Sequence, residues 1–108
     1  MALTPTVFEI LLSLADGERH GYDIMQDVER RTGGKTVIRP GSLYRAVHRL
    51  LEQGLVEELD ERPDMEDDDE RRRYYRISDD GLEALREETE RMSSAVEAAR
   101  AKRLMRAR

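Results

Sequence analysis

Residues 40–54 read PGSLYRAVHRLLEQG. Leu43, Val47, Leu50 and Leu51 recur at helical spacing and form one apolar stripe, which predicts a helix over about 43–53. Ser42 stands where a capping side chain is expected, and Gly54 supplies the stop. Tyr44, Arg45, His48, Arg49 and Glu52 lie largely off the stripe. Arg45 and Arg49 are four apart and share a face, with His48 beside them. An arginine can hold guanine O6 and N7 through two hydrogen bonds, or it can grip a phosphate. Ser42 and Tyr44, near the helix start, can hydrogen-bond a phosphate, and the amino end of a helix attracts anions through its free N–H groups and its dipole.

Toward the N-terminus, Lys35 to Ile38 reads as a short extended piece, restricted by Pro40. Gly33-Gly34 gives a left-handed stop to a preceding helix over about 21–32, whose Tyr22, Met25 and Val28 share a side. A first helix is predicted at about 5–15: Thr4 caps it, Pro5 suits its first position, and Val7, Ile10, Leu11 and Leu14 make its inner face. Asp16-Gly17 ends it.

Toward the C-terminus, Leu55 to Leu59 and Tyr74 to Ile77 read as two strands. Between them lie Pro63 and a run of acids that can bury nothing, so the pair is an antiparallel hairpin with a long polar tip. That tip, Asp64 to Glu70, lacks the glycine and the spaced acids of a calcium loop, and no metal or other cofactor is expected. Ser78-Asp79-Asp80 opens a last helix. Along it Leu82, Leu85, Thr89, Met92, Val96, Ala99 and Arg103 recur at alternating steps of three and four, a weak heptad seam. A helix of about 25 residues is about 37 Å long. So small a core cannot cover that length, which implies a partner helix from a second copy. The basic residues at the end of this helix, Arg100 to Arg108, read as cations matched to its dipole.

The chain has 108 residues, enough for one compact unit. We divide it into residues 1–78, the unit built around the basic helix, and 79–108, a dimerisation helix. With 38% hydrophobic and 40% charged residues it is polar, and its net charge is −5. The charge is not evenly spread. Arg30 to Gln53 carries six positive residues against Glu52 alone, whereas Glu57 to Glu70 carries ten acids against Arg62 alone. A local basic field can steer a polyanion even on an acidic protein. The absence of cysteine excludes disulfides and thiolate metal sites. Two histidines and no cysteine offer no nucleophile–base pair, so an enzyme is not expected. No window is apolar enough for a membrane span, and no leader is visible, which places the chain in the cytoplasm.

The order helix, helix, helix, strand, acidic tip, strand, helix is that of a winged helix-turn-helix, a mainly helical fold with a small hairpin, in which the third helix enters the major groove. The chain also resembles the PadR family of bacterial transcriptional regulators. The resemblance is carried by Leu3-Thr4-Pro5, Leu11 to Leu14, His20-Gly21-Tyr22-Asp23-Ile24, Pro40 to Leu50, Gly54-Leu55-Val56, Arg73 to Ser78 and Gly81, over about residues 3–82. It implies a winged helix with one C-terminal dimerisation helix. It also implies repression of nearby promoters, often relieved by a small molecule. The family's DNA-contacting positions fall here on Tyr22, Ser42, Tyr44, Arg45, His48 and Arg49, with wing contacts near Arg71, Arg72 and Arg73. Arg39, in the basic segment ahead of the helix, joins them as a candidate. Candidate dimer contacts are Leu82, Leu85, Thr89, Met92, Val96 and Ala99.

The expected partners are therefore double-stranded DNA, a second copy of the chain and an unknown small-molecule effector. The acidic tip departs from a wing that lies along phosphates, unless Arg71 to Arg73 offset it. With no Trp and one Phe, the chain has little with which to stack a flat ligand. The alternative on the same fold is a protein-interaction module that does not bind DNA specifically, favoured by the net negative charge.

Overall fold

The computed structural model describes residues 3–59 and 73–106. Helix α1 spans Pro5–Leu14, with the Thr4 hydroxyl accepting from the Val7 amide at 3.2 Å and proline in the first turn. A two-residue strand β1, Arg19–His20, leads into α2, Gly21–Arg31. The His20 ring caps α2: its Nδ1 accepts from the Asp23 amide at 3.0 Å. The end of α2 is closed by a backbone bond from the Gly34 amide to the Glu29 carbonyl at 2.8 Å, the reverse turn that Gly33-Gly34 foreshadows.

Helix α3 spans Pro40–Glu52 and begins earlier than the apolar stripe alone implies. Arg39 holds the capping position without a side-chain cap bond, and Pro40 opens the helix. Ser42 is therefore the third helical residue and not the cap. The proline ring pre-sets the first helical dihedral, which makes a side-chain cap dispensable. Strands β2, Val56–Glu58, and β3, Tyr74–Ile77, pair antiparallel with Val56 opposite Ile77. The hairpin is not alone: β1 adds to the other edge of β3, Arg19 opposite Tyr75, in the order β1-β3-β2. Two residues are too few to show alternation in a sequence, so β1 was not anticipated.

The core sits where the three helices meet the sheet. Ile10, Leu11 and Leu14 of α1 pack with Ile24 and Val28 of α2, Leu43, Val47 and Leu50 of α3, and Tyr75 and Ile77 of β3. Close approach fixes two glycines. A Cβ on Gly21 would lie 2.5 Å from the Tyr44 hydroxyl, so the start of α2 rests directly on the aromatic ring of α3. A Cβ on Gly81 would lie 2.1 Å from the Leu55 carbonyl oxygen.

Helix α4 runs from Asp79 to Ala101, capped by Ser78. The Ser78 hydroxyl accepts from the Gly81 amide at 3.0 Å and donates to the Gly54 carbonyl at 2.6 Å. Leu85 is buried in the core, and Leu82 packs against it. From Thr89 to Ala98 every residue is exposed, and α4 gives the molecule its long axis of 54 Å against 28 and 22 Å.

Candidate nucleic-acid interface

Two sets of arginines occupy neighbouring parts of the helix-turn-helix and are treated oppositely. The first set is Arg19, Arg30 and Arg31. Arg19 lies between Asp23 at 3.0 Å, Asp27 at 3.6 Å and Asp16 at 3.7 Å, and its Nε donates to the Ser13 carbonyl at 2.7 Å. Arg31 bridges α2 to α1 through Glu9 at 2.5 Å and the Ser13 hydroxyl at 3.1 Å. Arg30 pairs with Asp27 at 3.0 Å.

Asp27 is the hub of this network. Burial pushes its carboxyl upward, but the Ser13 hydroxyl, then Arg19, Arg31 and Arg30, outweigh that and hold it below the ordinary aspartate value. Burial likewise opposes the charge on Arg19, and the Asp23 hydrogen bond with the nearby aspartates raises it above its usual value. Ser13 is fully buried inside an otherwise apolar helix face. That single polar residue within Leu11-Leu12-Ser13-Leu14 was the sequence signal for the network.

The second set belongs to α3. Among the described residues, Arg39, Arg45 and Arg49 have no carboxylate within ion-pair distance, and neither has Lys35 just ahead of the helix. All four are exposed. Among the described residues, the polar contact of Arg45 is a long one, 3.5 Å to the Ser42 hydroxyl. Arg45 and Arg49 line one cleft with Ser42, and His48 is exposed on the same helix.

Other expected contacts are placed less simply. Tyr22, at the start of α2, is half exposed and stacks on His20 with ring centroids 6.5 Å apart. Tyr44 is turned inward. Its hydroxyl is buried over Gly21, so in this conformation it serves the joint between α2 and α3 and does not reach out toward a phosphate. Arg73 pairs with Glu58 at 3.6 Å and Arg76 with Glu57 at 3.0 Å, which neutralises the described base of the wing. Arg71, Arg72 and the acidic tip Met65 to Glu70 lie outside the described residues.

On α4, the candidate dimer contacts divide. Leu85 is buried in its own domain and Leu82 partly so, while the Thr89 hydroxyl donates to the Leu85 carbonyl at 2.8 Å. Met92 and Val96 remain exposed, joined by Leu104 and Met105 beyond the helix, and Ala99 is half buried. The seam also missed Glu88, which is buried. Its hydrogen bond with Arg91 holds the carboxyl below the ordinary glutamate value, and the Leu3 amide adds to the effect. Among the described residues no group of His, Cys, Asp and Glu could hold a metal ion, and no helix is long and apolar enough to cross a membrane.

Three helices followed by an antiparallel pair of strands, with Arg45 and Arg49 of the third helix without a carboxylate partner among the described residues, define the winged-helix class. Residues 10–87 match the family described as transcriptional regulator PadR-like. The chain belongs to that family, whose members are regulators of transcription and not enzymes. A transcriptional regulator from Clostridium thermocellum, Cth-833, superposes with a TM-score of 0.71 at 25% identity, over 88% of this chain and 89% of its own. Bacillus subtilis PadR, solved in complex with operator DNA, has a TM-score of 0.67 at 20% identity, over 78% of this chain and 46% of its own, a likeness of fold. An uncharacterised 37.1 kDa protein of transposon TN4556 from Streptomyces fradiae is 36% identical over 84 residues. Those residues are 78% of this chain, and the match spans 22% of that protein's length.

Proposed function

We propose that this chain is a sequence-specific regulator that binds duplex DNA as a homodimer, with α3 in the major groove, and represses from a near-palindromic operator. The observation that carries this reading is the contrast in ion pairing. Each of eight described arginines, Arg19, Arg30, Arg31, Arg73, Arg76, Arg86, Arg91 and Arg100, has a carboxylate within 4.0 Å. Those of α3 have none among the described residues, a state they share with Arg39 just ahead of the helix and with Arg103 and Arg106 beyond the end of α4. No acid among the described residues pairs with Arg45 or Arg49, and an external polyanion is the natural counter-charge.

The dimer rests on α4. Its exposed half carries Met92 and Val96, both exposed among the described residues, and a second α4 would cover them. Two copies would present α3 at a spacing of about 34 Å, one turn of the DNA helix. The operator-bound Bacillus subtilis PadR, of the same fold, supports this use of the fold. On this reading the protein works in the cytoplasm, and a small-molecule effector is the signal that releases it.

The test is a fluorescence-anisotropy titration against the DNA upstream of the protein's own reading frame and against random duplex, at two salt concentrations. We expect tight binding to the first that outcompetes random DNA and weakens steeply with salt. No binding to either duplex at low salt would instead favour a protein-interaction module. Light scattering at micromolar concentration should return the mass of two chains, and a monomer would sink the dimer.

A further inference from the structure

Beside α3 lies a cleft of about 210 Å³, walled on its other side by the first turn of α1. Its polar lining is Thr4, Thr6, Ser42, Arg45, Arg49 and Gln53. Among the described residues no carboxylate lines it, and every one of these side chains can donate a hydrogen bond. The Thr4 hydroxyl already accepts from the Val7 amide at 3.2 Å, so its own proton is left to donate outward. Two arginines without a carboxylate partner among the described residues stand on the wall opposite the threonines. At about 30 Å³ per water, the space admits a tetrahedral oxyanion with some of its hydration. The large groove along α2 differs in kind, because Glu29 lines it together with Arg30.

We infer that this cleft is the seat of one DNA backbone phosphate per protomer, gripped between Arg45 and Arg49 of α3 and the hydroxyls of Thr4 and Thr6 of α1. The inference rests on the DNA-binding reading above and sharpens it. Arg45 and Arg49 then position the duplex and do not read bases, so sequence discrimination falls to other residues of the α3 surface. Helix α1 becomes part of the interface, which no residue pattern within it announces.

The experiment uses the full chain and a Thr6→Asp variant. An acid in the first turn suits the helix dipole, so α1 should fold as before, checked by an unchanged or raised melting temperature. A phosphate contact carries no sequence information. Its loss should weaken binding to a selected operator and to random duplex alike, by about tenfold, and lower the salt slope by about one. Replacing single phosphates by neutral methylphosphonates should then find one position per half-site that costs the wild-type protein affinity and costs Thr6→Asp nothing further. Three results would overturn the inference while leaving the DNA reading intact: unchanged affinity in Thr6→Asp, a loss confined to the operator with an unchanged salt slope, or methylphosphonate effects that remain fully additive with the variant. Failure of the wild-type protein to bind any duplex would remove both.

Discussion

The arginines around Asp27 and those of α3 are the same residue in the same helix-turn-helix, and they do different work. Arg19, Arg30 and Arg31 point into a ring of carboxylates and tie α1, β1 and α2 together. Arg39, Arg45 and Arg49 have no carboxylate within ion-pair distance among the described residues. A charge whose field is already neutralised can only hold the fold, and a charge left open can recruit a partner. For Arg39 and Arg45 the difference is the supply of acids three and four residues away. Arg30 and Arg31 have Asp27 at those steps, while Arg45 has only Gly41, Ser42, His48 and Arg49. Arg49 does have Glu52 three residues on, yet the two form no ion pair, so spacing alone does not account for it.

That comparison can be broken most forcefully at α3. Replacing Arg45 and Arg49 together with alanine should lower DNA affinity by about a hundredfold, two charge-assisted contacts at roughly 1.5 kcal/mol each. The melting temperature should stay within a degree or two, since neither side chain is buried. A large fall in melting temperature would mean that this set, too, is structural.

The opposite pattern is expected at Asp27. Asp27→Ala leaves the Arg19 guanidinium partly buried with a weakened counter-charge, and should cost about 2 kcal/mol of stability, below the cost of breaking a fully buried pair. Urea unfolding checks this, and DNA affinity of the remaining folded protein should be unchanged. The same residue sets an acid limit. Its folded pKa lies below the unfolded value of about 3.9. Its contribution is therefore complete above about pH 4 and drains away as pH falls through the depressed folded value. Unfolding curves of wild type and Asp27→Ala should converge at the acid end. Parallel curves would show that Asp27 is not the hub.

The smallest effect sharpens the comparison by giving α3 the acid it lacks. In Ser42→Glu the new carboxylate lies three residues before Arg45 and in the first turn of its helix. We expect a gain of about 0.5 kcal/mol in stability from the dipole and the pair. DNA affinity should fall by about tenfold, as Arg45 is drawn into an internal pair. Unchanged affinity would show that Arg45 stands outside the interface.

Much of this was legible in the sequence because it depends on local rules. The three-and-four spacing placed four helices, Thr4 and Ser78 marked two starts, and β3 was found at its observed ends. The start of α3 was misjudged because Ser42 is a good cap by type, whereas Pro40 fixes the entry through ring geometry. The rest depends on contacts distant in sequence. The basic face is visible as a run of charges, but that Arg45 and Arg49 have no carboxylate partner among the described residues is known only once Asp16, Asp23 and Asp27 are seen to turn toward Arg19. Tyr44 looked like a reaching hydroxyl until Gly21, more than twenty residues earlier, was found beneath it. The heptad seam counted Leu82 and Leu85 as outward because periodicity identifies a face without saying what covers it.

The joint at Gly81 has a mechanical meaning. The backbone of α4 lies against the Leu55 carbonyl with no room for a methyl group, and the Ser78 hydroxyl links the Gly54 carbonyl, in the turn that closes α3, to the Gly81 amide of α4. Such a joint has little slack. On the proposed reading, α4 is tied through this joint to the turn that follows α3, so a movement of its far end would be passed toward α3. In a dimer built along α4, a small rotation at Met92 or Val96 would arrive at the DNA as a change in the phase between two reading heads.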